Sequence, residues 1–192
     1  MKRIVIFASG DGTNAERIVT YFREKQTAEV VLILSNKADA FVLKRANKFN
    51  ISAFYFNRTA LYETENVLDL VKNANPDLIV LAGFLWLFPT NILEAFPNKV
   101  INIHPALLPD FGGKGMYGHH VHNAVIAAAK EESGITIHYV TNEYDKGSTI
   151  FQAKTAITKE DTPETLAQKI HQLEYKNFPV VIENLLLSSK NG

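Results

Sequence analysis

Short apolar runs alternate along the chain with segments of helical periodicity, and this alternation limits the possible folds most strongly. The runs predict strands at 4–8, 30–34, 53–56, 78–81, 100–103, 134–140 and 150–157. The intervening segments predict helices at 15–25, 41–49, 60–74, 89–96 and 162–187, and the end of a further helix at 124–130. Continuously apolar strands separated by helices are typical of a mostly parallel sheet buried on both faces. We therefore predict an α/β fold of three layers, with a mostly parallel central sheet and helices on both of its faces.

Length and charge narrow the functional classes. The 192 residues predict one domain, 1–192, and the last residues, 188–192, are expected to fray. The 20 basic and 20 acidic residues leave no basic excess, which argues against a nucleic-acid partner. No apolar stretch reaches the roughly 18 residues of a membrane helix, and the apolar start is too short for a signal peptide. We expect a soluble cytoplasmic protein without a membrane partner.

The first predicted strand ends in the sequence SGDGTN, residues 9–14. Glycines at this point allow a tight turn and present N–H groups at a helix N-terminus, where Asn14 is predicted to cap the helix. This pattern favours a phosphate-binding loop. Gly10, Gly12 and Ala15 also match the looser dinucleotide pattern G-x-G-x-x-A, although residues 35–37 replace the usual ribose-binding acid. An NADP-dependent oxidoreductase therefore stays open as an alternative.

The fifth predicted strand ends in NIHPALLP, residues 102–109. Residues two apart on a strand point to the same side, so Asn102 and His104 are expected to project together. An amide donor and an imidazole can stabilise one developing oxyanion, and the imidazole can also transfer a proton. Ligands of open α/β sheets bind at the carboxyl ends of the strands, which favours a catalytic role for this pair.

Two more segments follow predicted strands. The loop NEYDKG, residues 142–147, carries Asp145, a carboxylate that would raise the pKa of a neighbouring imidazole and orient the ring. The segment GFLWLFP, residues 83–89, is apolar and aromatic, which suits either core packing or a slot for a flat heterocycle.

Three histidines, His119, His120 and His122, occur in a glycine-rich stretch that we expect to be a solvated loop. They lack an acidic residue or cysteine at ligand spacing, so no metal site is predicted. The loop 110–122 is expected to be a mobile flap without a catalytic role.

Five segments of the chain carry a resemblance to a known family. They are the start IVIFASGDGTN, the runs SNKADAF at 35–41 and VLAGF at 80–84, the NIHPALLP block, and the HYV and D-x-G pattern within 138–147. Together they resemble the phosphoribosylglycinamide formyltransferases, a family of folate-dependent enzymes of purine synthesis. The resemblance implies a Rossmann-like fold. It also implies transfer of a formyl group from 10-formyltetrahydrofolate, as co-substrate, to the amine of glycinamide ribonucleotide.

The same resemblance implies roles for individual residues. The catalytic residues would be Asn102, His104 and Asp145, with Asp145 keeping His104 charged. The ribonucleotide would contact Gly12, Thr13, Asn14, Gly83, His171 and Glu174. The folate would contact Leu85, Trp86, Leu87, Phe88, Asn102, Val140, Thr141, Asn142, Glu143, Tyr144 and Asp145. In this division the N-terminal part binds the ribonucleotide and the C-terminal part binds the folate.

Other functions share some of these features. A formyltetrahydrofolate deformylase could use the same Asn, His and Asp with water in place of the amine. A methionyl-tRNA formyltransferase would be expected to have a longer chain and a basic surface. A folate-binding protein without catalysis would not need His104. The sequence leaves monomer and homodimer equally open.

Overall fold

A computed structural model describes residues 1–188 of the chain. One seven-stranded sheet, in the order β3-β2-β1-β4-β5-β6-β7, forms its centre. The strands are β1 (Lys2–Phe7), β2 (Ala28–Ser35), β3 (Ser52–Tyr55), β4 (Leu78–Leu81), β5 (Val100–His104), β6 (Glu132–Tyr139) and β7 (Thr149–Ala156). The helices are α1 (Thr13–Lys25), α2 (Phe41–Lys48), α3 (Arg58–Tyr62), α4 (Asn66–Ala74), α5 (Thr90–Ala95), α6 (His119–Ala127) and α7 (Pro163–Ser188).

The predicted α/β architecture is confirmed. Strands β1 to β5 pair in parallel, whereas β6 and β7 extend the sheet antiparallel through β5. The chain runs outward from β1 through β2 to β3 and then returns to β4 on the other side of β1. This reversal opens a crevice beyond the carboxyl ends of β1 and β4, which is the usual place for a ligand in such sheets.

Strand β1 shows why both faces of the sheet are covered. Its side chains alternate, so that Ile4 and Ile6 belong to one buried cluster and Val5 and Phe7 to the other. The helices of the first face contribute Ile18, Phe22, Val42, Val121, Phe178 and Ile182. The helices of the second face contribute Leu61, Val67, Leu68, Val71 and Ile92. The two clusters therefore bury both faces of the sheet beneath the crevice.

Two predicted helices have different bounds in the structure. The continuous helix predicted over 60–74 is wrong, because the chain breaks between α3 and α4. Thr64 Oγ1 donates to Ala60 O at 3.4 Å and accepts from Asn66 N at 3.4 Å, and such local bonds compete with helical ones. The helix whose end is predicted at 124–130 is α6, which begins at His119 and ends at Ala127, before the predicted last residue.

The termini of α1 and α7 are set by different residues. Gly12, not Asn14, is the N-cap of α1, and no side chain caps that helix. The predicted start of α7 is confirmed, because Thr165 N donates to Thr162 Oγ1 at 3.3 Å just before Pro163. Residues 188–192 were expected to fray. Ser188 is the last residue of α7, and residues 189–192 lie outside the described residues. Across residues 1–188, none of the helices is both long and apolar enough to cross a membrane.

Candidate active site

A cavity of about 690 Å³ opens beyond the carboxyl ends of β1, β4 and β5. Its size lies within the range of ligand pockets, roughly 300–1,000 Å³. Every residue to which the resemblance assigns a role lines this cavity, except Asn142. Residues distant in the sequence are therefore brought to one crevice by the order of the strands.

The glycine loop after β1 forms one end of the cavity. Gly12 has φ +72°, and a Cβ placed there would lie 2.3 Å from Cγ2 of Val42, so only glycine fits without displacement. α1 begins at the next residue, which leaves its first N–H groups free for an anion. Ser9 Oγ donates to Asn36 Oδ1 at 2.6 Å and accepts from Leu85 N at 2.9 Å. These bonds tie the ends of β1, β2 and β4 together.

Glu174 on α7 faces the same end of the cavity. Asn14 Nδ2 donates to Glu174 Oε2 at 2.9 Å, which explains why the Asn14 side chain does not cap α1. Burial raises the pKa of Glu174, although the hydrogen bond from Asn14 and the nearby His171 oppose the rise. His171 and Glu174 are three residues apart on α7, and such pairs are often solvated. The Glu174 side chain is nevertheless only 6% exposed.

His104 lies at the end of β5 and is 3% exposed. Its Nε2 is 2.8 Å from Phe111 O and its Nδ1 is 3.5 Å from Asp145 Oδ2. Because a carbonyl can only accept, we assign the proton of the neutral ring to Nε2. Burial lowers the pKa of His104 below its usual value and outweighs the opposing effect of Asp145. Asp145 thus acts on the pKa of His104 in the expected direction, but its effect is smaller than that of burial.

Sequence reasoning missed His138, which is 2% exposed and lies opposite Asn102 in the pairing of β5 with β6. His138 Nδ1 donates a hydrogen bond to Tyr139 O at 2.8 Å, so Nε2 of the neutral ring is an acceptor. This Nε2 accepts a hydrogen bond from Asn102 Nδ2 at 3.1 Å. This bond orients the Asn102 amide and leaves its second N–H free. Only the register of two antiparallel strands reveals the pair.

Asp145 connects the two histidines with the loop that follows β5. Its Oδ1 is 3.5 Å from His138 Nε2, and its Oδ2 accepts from Gly113 N at 2.8 Å. Although burial raises the pKa of Asp145, its contacts with His138, His104 and Gly113 lower it below the usual value. The loop expected to have no catalytic role thus holds both members of the His104 and Asp145 pair, through Phe111 and Gly113.

The opposite end of the cavity is aromatic. Trp86 stacks on Tyr62 with ring centroids 6.2 Å apart, and Phe56 meets its edge. The guanidinium of Arg58 lies over the Trp86 ring, 4.7 Å from the centroid. Sequence reasoning did not assign Arg58, which lines the cavity beside the predicted slot. A flat heterocycle and an anionic group can both be accommodated here.

The three histidines after the glycine-rich stretch lie in α6 instead of a loop. His119 and His120 are exposed, but His122 is buried and lines the cavity, so the prediction of a solvated loop is wrong for this residue. Residues 1–188 contain no group of three His, Cys, Asp or Glu side chains placed to hold a metal ion.

Comparison with known proteins gives a consistent result. The Formyl transferase family profile matches residues 2–182. The phosphoribosylglycinamide formyltransferase of Bacillus subtilis is 37% identical over 100% of this chain and 98% of its own length. The chloroplastic enzyme of that name from Arabidopsis thaliana is 35% identical over 94% of this chain, which spans 64% of its length. The crystal structure of the Bacillus halodurans enzyme superposes with a TM-score of 0.87 at 36% identity, covering 96% of this chain and 95% of that one.

Proposed function

The chain belongs to the Formyl transferase family, and from this membership we propose that it transfers a formyl group from 10-formyltetrahydrofolate to the amine of glycinamide ribonucleotide in purine biosynthesis. The convergence of Asn102, His104 and Asp145 between a phosphate-type loop and an aromatic slot carries the proposal. Both partners in this reaction are small molecules.

The ribonucleotide occupies the end of the cavity formed by the glycine loop. Its phosphate accepts hydrogen bonds from the N–H groups at the start of α1, around Gly12, Thr13 and Asn14. Its sugar lies against Glu174, whose hydrogen bond from Asn14 joins the two binding elements. Gly83 and His171 complete this end of the cavity.

The folate occupies the aromatic end. Its flat ring enters the slot beside Trp86 and the buried Phe88, and its carboxylates meet the guanidinium of Arg58. The remaining contacts come from Leu85, Leu87, Val140, Thr141, Glu143 and Tyr144, which also line the cavity. Asn142, outside the lining, is not included.

The reaction proceeds by direct attack of the substrate amine on the formyl carbon. The free N–H of Asn102 stabilises the oxyanion of the tetrahedral intermediate, and His138 keeps the amide in this orientation. His104 is neutral at first, so its unprotonated Nδ1 can accept the amine proton and later return a proton to the leaving nitrogen of the folate. Asp145 stabilises the imidazolium that forms between these steps. Because the nucleophile is the substrate amine, no covalent enzyme intermediate is formed.

The experiment is a spectrophotometric assay of 10-formyltetrahydrofolate consumption with and without glycinamide ribonucleotide. We expect turnover only when the ribonucleotide is present. Equal turnover without it would favour a deformylase that uses the same residues to activate water. Absence of turnover in both cases, together with a change in NADPH fluorescence on binding, would favour an oxidoreductase. His104→Ala should abolish turnover, whereas the exposed His120→Ala should not.

A further inference from the structure

His122 is the buried polar side chain of the cavity for which neither the mechanism nor the resemblance provides a role. It is 4% exposed, lies on α6 and lines the cavity. Its Nδ1 is enclosed and has no hydrogen-bond partner within residues 1–188. Burial of an imidazole that makes no hydrogen bond destabilises the fold, so a histidine kept at the wall of a binding cavity indicates a role for its other nitrogen, Nε2.

The surroundings determine the protonation state of this ring. Burial, with a smaller effect in the same direction from the nearby His171, His119 and His104, lowers the pKa of His122 to about 4. The ring is therefore neutral near pH 7 and carries one proton. An enclosed N–H without an acceptor is costlier than an enclosed lone pair, which assigns the proton to Nε2. Unlike Nδ1, Nε2 is not among the enclosed atoms that lack a partner. His122 therefore offers the cavity one uncharged hydrogen-bond donor, Nε2–H.

The position of the ring indicates which part of the ligand it meets. Its strongest electrostatic neighbour outside its own helix is His171, one turn before Glu174 on α7, and the catalytic His104 follows. The ring is therefore near the reacting centre and near α7, which packs against α6 and carries His171 and Glu174. The aromatic slot for the folate is formed by other elements, chiefly the segment 84–88 that follows β4.

We propose that His122 is a further substrate-binding residue, whose Nε2–H donates to a hydroxyl oxygen of the ribonucleotide sugar. The inference rests on the proposed function. A sugar hydroxyl both donates and accepts, and Glu174 supplies only acceptors when ionised, so the site needs a donor for the remaining lone pairs. A neutral imidazole suits a hydroxyl better than a phosphate, for which the helix N-terminus already provides N–H groups.

Replacement of the ring by His122→Phe tests the role while keeping an aromatic side chain in place. The loss of one neutral hydrogen bond should raise the KM and the calorimetric Kd for glycinamide ribonucleotide about tenfold. The KM for 10-formyltetrahydrofolate and kcat should change less than about twofold, because the ring contacts neither the folate nor the reacting atoms. His122→Gln, which retains an N–H donor, should recover part of the affinity. The matched control is His120→Phe, an exposed position on the same helix that does not line the cavity.

A measurement on the unmodified protein keeps the inference testable if the variants do not fold. Nitrogen-15 NMR of the imidazoles should show His122 as the Nε2–H tautomer, with a resonance that shifts when the ribonucleotide is added but not with the folate alone. The 2′-deoxy and 3′-deoxy analogues of the ribonucleotide should bind the wild type more weakly than the ribonucleotide does. The analogue that lacks the hydroxyl bound by His122 should have the same Kd in His122→Phe as in the wild type. An unchanged ribonucleotide Kd in His122→Phe would refute the role. If wild type itself transfers no formyl group, the proposed function fails; if it does and the variant binds normally, only this inference fails.

Discussion

The substitution Asp145→Asn isolates the negative charge of Asp145 with little change in shape. Asp145 has φ +56°, a left-handed conformation that asparagine tolerates as well as aspartate does. The amide oxygen of asparagine can still accept the hydrogen bond that Gly113 N donates to Oδ2. The variant should therefore fold, hold the loop 110–118 in place and lack only the carboxylate charge.

The distances in the site give the size of the expected effect. Asp145 Oδ2 lies 3.5 Å from His104 Nδ1, and the two side chains are 11% and 3% exposed. A unit charge pair at about 4 Å contributes about 4 kcal/mol at an effective dielectric constant of ~20. In the proposed mechanism His104 is charged only while the intermediate exists, so this stabilisation is absent from the ground state. Its loss should lower kcat about 10³-fold and leave both KM values within a few-fold.

The pH profile provides a second readout of the same contact. Removal of Asp145 leaves burial unopposed by that carboxylate, so the pKa of His104 should fall further. A neutral His104 acts as the base, and the acid limb of kcat/KM should therefore move to lower pH in Asp145→Asn.

The control for this prediction is Asp110→Asn, in the same loop but exposed, paired with Lys130 and outside the cavity lining. Activity should be retained in this control. A loss of less than about fivefold in kcat for Asp145→Asn would show that His104 does not become charged during the reaction.

Three further predictions follow from packing, burial and charge. Gly12→Ala should lower the free energy of unfolding, measured in urea, by about 2–4 kcal/mol, because the new methyl group would clash with Val42 and the φ of residue 12 is positive. The control is Gly10→Ala, whose methyl group would have no neighbour within 4 Å and should leave the free energy of unfolding nearly unchanged. The His122 pKa of about 4 lies below the value of the unfolded chain, so the free energy of unfolding should fall as the pH drops from about 6.5 towards 4. His122→Phe should remove up to about 3 kcal/mol of that fall, and an unchanged pH dependence in urea titrations would contradict this. Arg58→Met should raise the KM for the folate about tenfold and leave that for the ribonucleotide unchanged, as measured by steady-state kinetics.

Much of the architecture could be predicted from local patterns. The apolar runs predicted all seven strands within a few residues. The signal is strongest for β1 and β4, because buried parallel strands have continuous apolar sequences. Thr162 and Pro163 predicted the start of α7, since capping chemistry is local. The break at 63–65 was missed because hydrophobic periodicity continues across it, while the competing bonds of Thr64 depend on backbone geometry.

The sequence by itself determined the alternation of strands and helices, the glycine at the turn after β1, and the side-by-side projection of Asn102 and His104. Each of these depends on neighbours within a few residues. Only the tertiary structure decided what those groups face. The register of β6 places His138 against Asn102, and the packing of α7 brings Glu174 to Asn14. Burial, which no local pattern specifies, lowers the pKa of both His104 and His122. Protonation and partner choice depend on atoms that are close in space but distant along the chain.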